Sequence, residues 1–136
     1  MFEQRVVVVG AGPAGLAAAG ALAHLGIKAL ILERDCVGSS WRGRYDRLRL
    51  NSSRWTSKLP YSRYKRGTGL FPTREQMVQY LQEYVAKHEL DVRPGIAVER
   101  IDADAEGWTL ETTADPVRAP QVIVATGFEN SPVPRL

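Results

Sequence analysis

The sequence predicts an α/β fold, a parallel sheet with crossover helices followed by a small β-hairpin or meander. Three observations predict it. Four consecutive valines, Val6 to Val9, end at a glycine, as a buried parallel strand does. An alanine- and leucine-rich stretch from Leu16 to Leu25 follows and stops at Gly26, where a helix takes its C-terminal cap. Ala29 to Glu33 is a second apolar run, and it closes a β-α-β unit over residues 5–33.

Within that unit Pro13 suits the first helical turn, where no amide hydrogen is needed. Beyond it, residues 35–72 lose all periodicity. Their aromatics, Trp41, Tyr45, Trp55, Tyr61 and Tyr64, argue against disorder, so the segment reads as an ordered loop covering a ligand. Thr73-Arg74-Glu75-Gln76 has capping-box form and starts a helix over 74–89. Met77, Tyr80, Leu81, Tyr84, Val85 and His88 make one apolar stripe on it, which is core. Residues 91–127 hold the remaining strands: Asp91 to Arg93, a hairpin of Ala97 to Ala105 and Trp108 to Thr113 around Gly107, and Val122 to Ala125.

Composition narrows the function. With 44% hydrophobic and 24% charged residues, the 136-residue chain has the make-up of one soluble globular domain. The net charge is +3, yet nine Lys or Arg residues lie between Trp41 and Arg66 against one acid, Asp46. Cys36 is the sole cysteine, which excludes an intrachain disulfide and fits a reducing, cytoplasmic setting. Neither His24 nor His88 stands at metal-motif spacing from it, so no metal site is expected. The apolar stretch Val6 to Leu25 could pass for a signal or membrane segment, but Gly10, Gly12, Pro13 and Gly15 would interrupt a spanning helix near its middle.

Those glycines have a better use. Gly10-Ala11-Gly12-Pro13-Ala14-Gly15 matches G-x-G-x-x-G between a predicted strand and a predicted helix, the context that gives the short pattern meaning. The first glycine permits the tight turn, the second lets the backbone approach a pyrophosphate, and the third lets helix pack on strand. Free amides at the helix start then face the phosphates. Glu33, with Arg34 beside it, ends the second strand where an acid can accept hydrogen bonds from both ribose hydroxyls of an adenosine. A solvated strand end is the plain alternative for Glu33. These residues predict a dinucleotide site without separating FAD from NAD.

The order GAGPAGLAAA, ER, GSSWRGRYDRLRL, LP, FPTREQ with YL, and VIVATG resembles the flavin-containing monooxygenases, especially bacterial relatives of the YUCCA type, over nearly the whole chain. The resemblance implies a Rossmann-like FAD-binding domain over residues 1–136, with sheet order third strand, second, first and last. It also implies that Trp41 and its neighbours line the FAD. Val98 would give the adenine a backbone contact, Asn51 would lie near the flavin ring, and Ala125-Thr126-Gly127 would close the first passage through the domain.

The resemblance further implies NADPH as the reductant and a small organic substrate, with no acid, base or nucleophile of this chain acting catalytically. The family's second G-x-G-x-x-G and its carboxy-terminal return to the FAD domain are absent, and residues 130–136 resemble the link into the NADPH domain. The chain therefore reads as an amino-terminal portion that self-associates or joins a missing carboxy-terminal half. A flavin disulfide reductase is the rival enzyme, but the glutathione-reductase type carries a cysteine pair near Ser39-Ser40. A non-catalytic dinucleotide-binding remnant, or a subunit of a split flavoprotein, is the alternative outside catalysis. The basic loop suits cofactor phosphates; a solvated face or a nucleic-acid groove would leave the glycines and Glu33 without a role.

Overall fold

The computed structural model describes residues 4–127, so the link expected at 130–136 lies outside the described residues. Its elements run β1 (Val6–Val9), α1 (Pro13–His24), β2 (Ala29–Leu32), α2 (Ser39–Arg42), α3 (Arg74–Lys87), β3 (Asp91–Arg93), β4 (Val98–Ala103), β5 (Trp108–Thr112), β6 (Val117–Ala119) and β7 (Gln121–Val124). Four strands make a parallel sheet in the order β3-β2-β1-β7, the predicted order. The hairpin expected around Gly107 is the first part of a three-stranded antiparallel sheet, β4-β5-β6. The third strand went unforeseen because Val117-Arg118-Ala119 is too short to show a period.

Every residue of β1 and β2 is buried because both faces of the parallel sheet are covered. Side chains alternate across a strand, so the faces separate by parity. Val6, Val8, Ala29 and Ile31 pack with Leu16, Ala19, Leu81 and Tyr84 of α1 and α3. Val7, Val9, Leu30 and Leu32 pack with Leu110 and Ala119 of the second sheet. The result is three layers, helices on sheet on sheet, in which a fully buried leucine such as Leu81 contributes about 1.5–3 kcal/mol.

Helix α1 approaches α3 closely at Gly20, where a Cβ would lie 2.0 Å from the Tyr84 hydroxyl oxygen. Helix α3 begins in the predicted capping box, Thr73 Oγ1 accepting from the Gln76 amide and Gln76 Oε1 from the Thr73 amide. Four of its six stripe residues, Met77, Tyr80, Leu81 and Tyr84, are buried, while Val85 and His88 are half-buried. No helix among the described residues is long and apolar enough to cross a membrane.

The long segment between β2 and α3 is ordered by tyrosine hydroxyls of α3. Tyr80 accepts a hydrogen bond from the Leu59 amide at 2.7 Å and donates one to the Ser62 carbonyl at 2.8 Å. Tyr84 donates to the Pro60 carbonyl at 2.9 Å, and Tyr64 stacks on Tyr80 with ring centroids 4.1 Å apart. The start of the segment, with Ser39, Ser40, Trp41 and Arg44, lines one cavity and residues 58–63 line another, while Leu48, Leu50, Leu59 and Tyr64 pack against the core that α3 shares.

Candidate functional site

At the C-terminal ends of β1, β2 and β7 lies a cleft of about 670 Å³, the size expected of a cofactor site. The β1–α1 turn contributes Gly10, Gly12, Pro13 and Ala14 to it. The end of β2 adds Glu33, Arg34 and Asp35, and the segment entering β4 adds Ile96, Ala97 and Val98. Helix α2 and its exit contribute Ser39, Ser40, Trp41 and Arg44, while Ala125, Thr126 and Gly127 follow β7 into it.

The three glycines of the motif do three different jobs. Gly10 has φ +111°, and a Cβ on it would stand 2.3 Å from the Ala125 carbonyl oxygen, so the turn and the end of β7 meet only over a bare backbone. A Cβ on Gly15 would stand 1.9 Å from the Gly10 carbonyl oxygen, which is how α1 rests on the turn. Gly12 differs from both: its φ is −86° and a Cβ there meets no atom within 4 Å, only the open cleft. The first helical bond runs from the Leu16 amide to the Gly12 carbonyl at 3.0 Å, and no side chain caps the helix. The amides of Ala14 and Gly15, at the positive end of the helix, are thus placed to receive an anion.

Glu33 is 8% exposed, so the solvated strand end considered from sequence does not describe it. Its Oε1 accepts the Ala11 amide at 3.1 Å and its Oε2 the Asp35 amide at 3.0 Å. A carboxylate offers about four acceptor sites. Two are taken by these amides, one on each oxygen, and two remain for paired hydroxyls. The Glu33 carbonyl also accepts the Ile96 amide at 2.9 Å, tying the end of β2 to the segment that carries Val98.

Of the residues singled out in the sequence, the cleft gathers Gly10, Gly12, Pro13, Ala14, Glu33, Arg34, Trp41, Val98, Ala125, Thr126 and Gly127. Ala11 and Gly15 act behind it, the first through the amide held by Glu33 and the second through packing. Asn51 is exposed on the α2–α3 segment and is not among the lining residues, so the structure does not bring it to the cleft. Sequence reasoning passed over Asp35, and it covered Ser39, Ser40 and Arg44 only as unnamed neighbours of Trp41 in the GSSWRGR segment. Arg44 lies over the Trp41 ring, 6.0 Å from its centroid. Cys36 sits beside the site, and burial pushes its thiol up against the opposing influence of Arg42. Among the described residues no group of His, Cys, Asp and Glu could hold a metal ion.

Residues 7–134 match the pyridine nucleotide-disulphide oxidoreductase family. The chain is 34% identical over 137 residues to a probable indole-3-pyruvate monooxygenase, YUCCA4, of Arabidopsis thaliana, which covers 98% of this chain and 33% of that protein. Among solved structures, a flavin-containing monooxygenase from Stenotrophomonas maltophilia is 30% identical with a TM-score of 0.85, covering 93% of this chain and 39% of that one. The bacillithiol disulfide reductase Bdr from Bacillus cereus is 27% identical with a TM-score of 0.89, covering 95% of this chain and 41% of that one. The chain therefore spans about a third of the length of the curated relatives it matches.

Proposed function

The chain belongs to the pyridine nucleotide-disulphide oxidoreductase family, and from that premise we propose that it is the FAD-binding part of a flavin-dependent, NADPH-using monooxygenase acting on a small organic substrate. The observation that carries the reading is the pairing, in one cleft, of the open space at Gly12 with the buried Glu33 carboxylate. The residues fit an adenine dinucleotide. A pyrophosphate would lie against the Gly12 backbone and the amides of Ala14 and Gly15, and the ribose hydroxyls would take the two remaining acceptor sites of Glu33. The backbone near Val98 would meet the adenine, and Trp41 and Arg44 would face the part of the cofactor beyond it. Bound flavin supplies the redox chemistry, activation of O₂ included. The residues of this chain bind it, orient it and keep water from it. The free thiol of Cys36 suits a reducing compartment such as the cytoplasm. The outer edge of β7, with Val124 62% exposed, is where a second copy would pair.

The likeness to a bacillithiol disulfide reductase supports a second reading, a flavin disulfide reductase. Cys36 is the only cysteine in these 136 residues, and Ser39 and Ser40 stand on the cleft, which favours the monooxygenase.

The experiment is FAD titration of the purified chain, followed by flavin absorbance and fluorescence. The wild-type chain takes up FAD, and Glu33→Gln weakens it by about 1–3 kcal/mol, because a charge-assisted bond to ribose becomes a neutral one. A Glu33→Gln variant that binds FAD as tightly as the wild type would count against the ribose role.

A further inference from the structure

We propose that Arg74 is a positioning residue for the cleft: its guanidinium clamps the α2 turn that presents Trp41 and Arg44, and so sets the affinity for a flavin dinucleotide. The inference rests on the functional reading above. Helix α2 spans four residues and fully buries none of them, and Trp41 alone of the four packs against the core, half-buried, so a helix this short needs further ties. Its N-terminal side is tied by the Gly38 amide, which donates to the Ala11 carbonyl at 3.2 Å. Its own amides bond locally, Gly43 to the Ser39 carbonyl and Arg44 to the Trp41 carbonyl.

The C-terminal side of the turn is reached from far along the chain. Arg74 Nη1 donates to the Arg44 carbonyl at 2.6 Å and to the Arg42 carbonyl at 3.4 Å, and stands 3.1 Å from Asp46 Oδ1. The Arg74 amide donates to the Leu48 carbonyl at 3.1 Å, extending the same hold along the strand-like exit of the turn. The side chain is 21% exposed, which keeps these charge-assisted bonds partly sheltered from water. Glu75 holds the other edge of the guanidinium through Nε and Nη2, at 2.9 and 2.6 Å. Arg74 thus lies at the first position of α3, which is anchored in the core, and carries that rigidity to the exposed exit of α2 at Arg42 and Gly43. A lysine could keep the charge but not hold the two carbonyls and Glu75 at once on opposite edges of one planar group.

Hydrogen exchange and FAD titration on the full chain test this, with wild type, Arg74→Met, Arg74→Lys and Glu75→Gln compared. In Arg74→Met, amide protection over residues 39–46 should fall while the middle of α3 keeps its protection, and FAD affinity should drop about tenfold, the scale of losing a charge-assisted tie. Arg74→Lys and Glu75→Gln, each of which loosens the hold on or by the guanidinium, should both fall between wild type and Arg74→Met in both readouts. Arg74→Met with unchanged protection at 39–46, or with lost protection throughout α3, would overturn the clamp, since the second result describes a helix-stabilising residue only. Equal FAD affinity in wild type and Arg74→Met would overturn its bearing on the cleft. A wild-type chain that takes up no FAD would overturn the functional reading instead.

Discussion

Two of the irregular stretches of this molecule are held by opposite means. The turn from Gly10 to Gly15 is fixed by main chain against main chain: a Cβ on Gly10 or Gly15 would run into a carbonyl oxygen at 2.3 or 1.9 Å. The segment from Leu59 to Tyr64 is fixed by side chains reaching back from α3, through Tyr80 and Tyr84 hydroxyls that bond its backbone. The first arrangement leaves no room for adjustment. The second rests on a few phenols about 20 residues away in sequence, each worth a hydrogen bond and some packing. The difference teaches where substitution should break the fold and where it should only loosen it.

The largest effect should come from Gly15→Ala, whose added carbon lies 1.9 Å from the Gly10 carbonyl oxygen. Urea denaturation should show a loss of about 4 kcal/mol, at the severe end for point changes. A loss below about 1 kcal/mol would mean the turn yields as easily as the loop. Tyr80→Phe comes next. It leaves the buried Leu59 amide without its acceptor and the Ser62 carbonyl without its donor, for an expected cost of about 2 kcal/mol. ADP binding, by contrast, should be unchanged, and a loss of it in this variant would join two regions described here as separate.

The smallest effect is set by pH. Burial, with Tyr80 beside it, pushes the Tyr64 phenol up from 10.0 to about 12. The neutral phenol is therefore favoured by the folded state. Its contribution is fully present below pH 10.0 and is lost as pH rises through about 12. Tyrosinate absorbance should show late-titrating phenols, Tyr64 together with Tyr80 and Tyr84, which burial also raises, and their ionisation should coincide with freer exchange over residues 59–64 while the Gly-rich turn holds. Tyr64→Leu should remove one phenol from that late phase.

The same contrast explains what could be read from the sequence. Gly10, Gly12, Gly15 and Glu33 were legible because a tight strand-to-helix turn packed main chain on main chain, with an acid at the end of the next strand, admits few residue types, and their spacing repeats that geometry. The β-α-β unit and α3 were legible because buried runs and a capping box leave local marks. Helix α2 was not, being four residues without a buried side chain, entered through Gly38 at φ +70°. Strand β6 owes its place to Ala119, wholly buried against the sheet, a fact of packing that three residues cannot announce. Arg74 read as part of a helix start; its bonds to the Arg42 and Arg44 carbonyls exist only once α3 is folded against the turn. Asn51 was placed near a flavin by resemblance alone, and the cleft lining does not include it.

The most direct test of the dinucleotide cleft is isothermal titration of ADP into the wild-type chain and into Gly12→Leu. Gly12 is the one motif glycine whose Cβ would meet no protein atom within 4 Å and whose φ, −86°, any residue adopts, so the variant should fold. Its side chain would then occupy the space that the pyrophosphate needs. The account predicts measurable ADP binding by the wild type and none by a Gly12→Leu chain with unchanged circular dichroism and unfolding midpoint. Equal ADP affinity in the folded variant would contradict it.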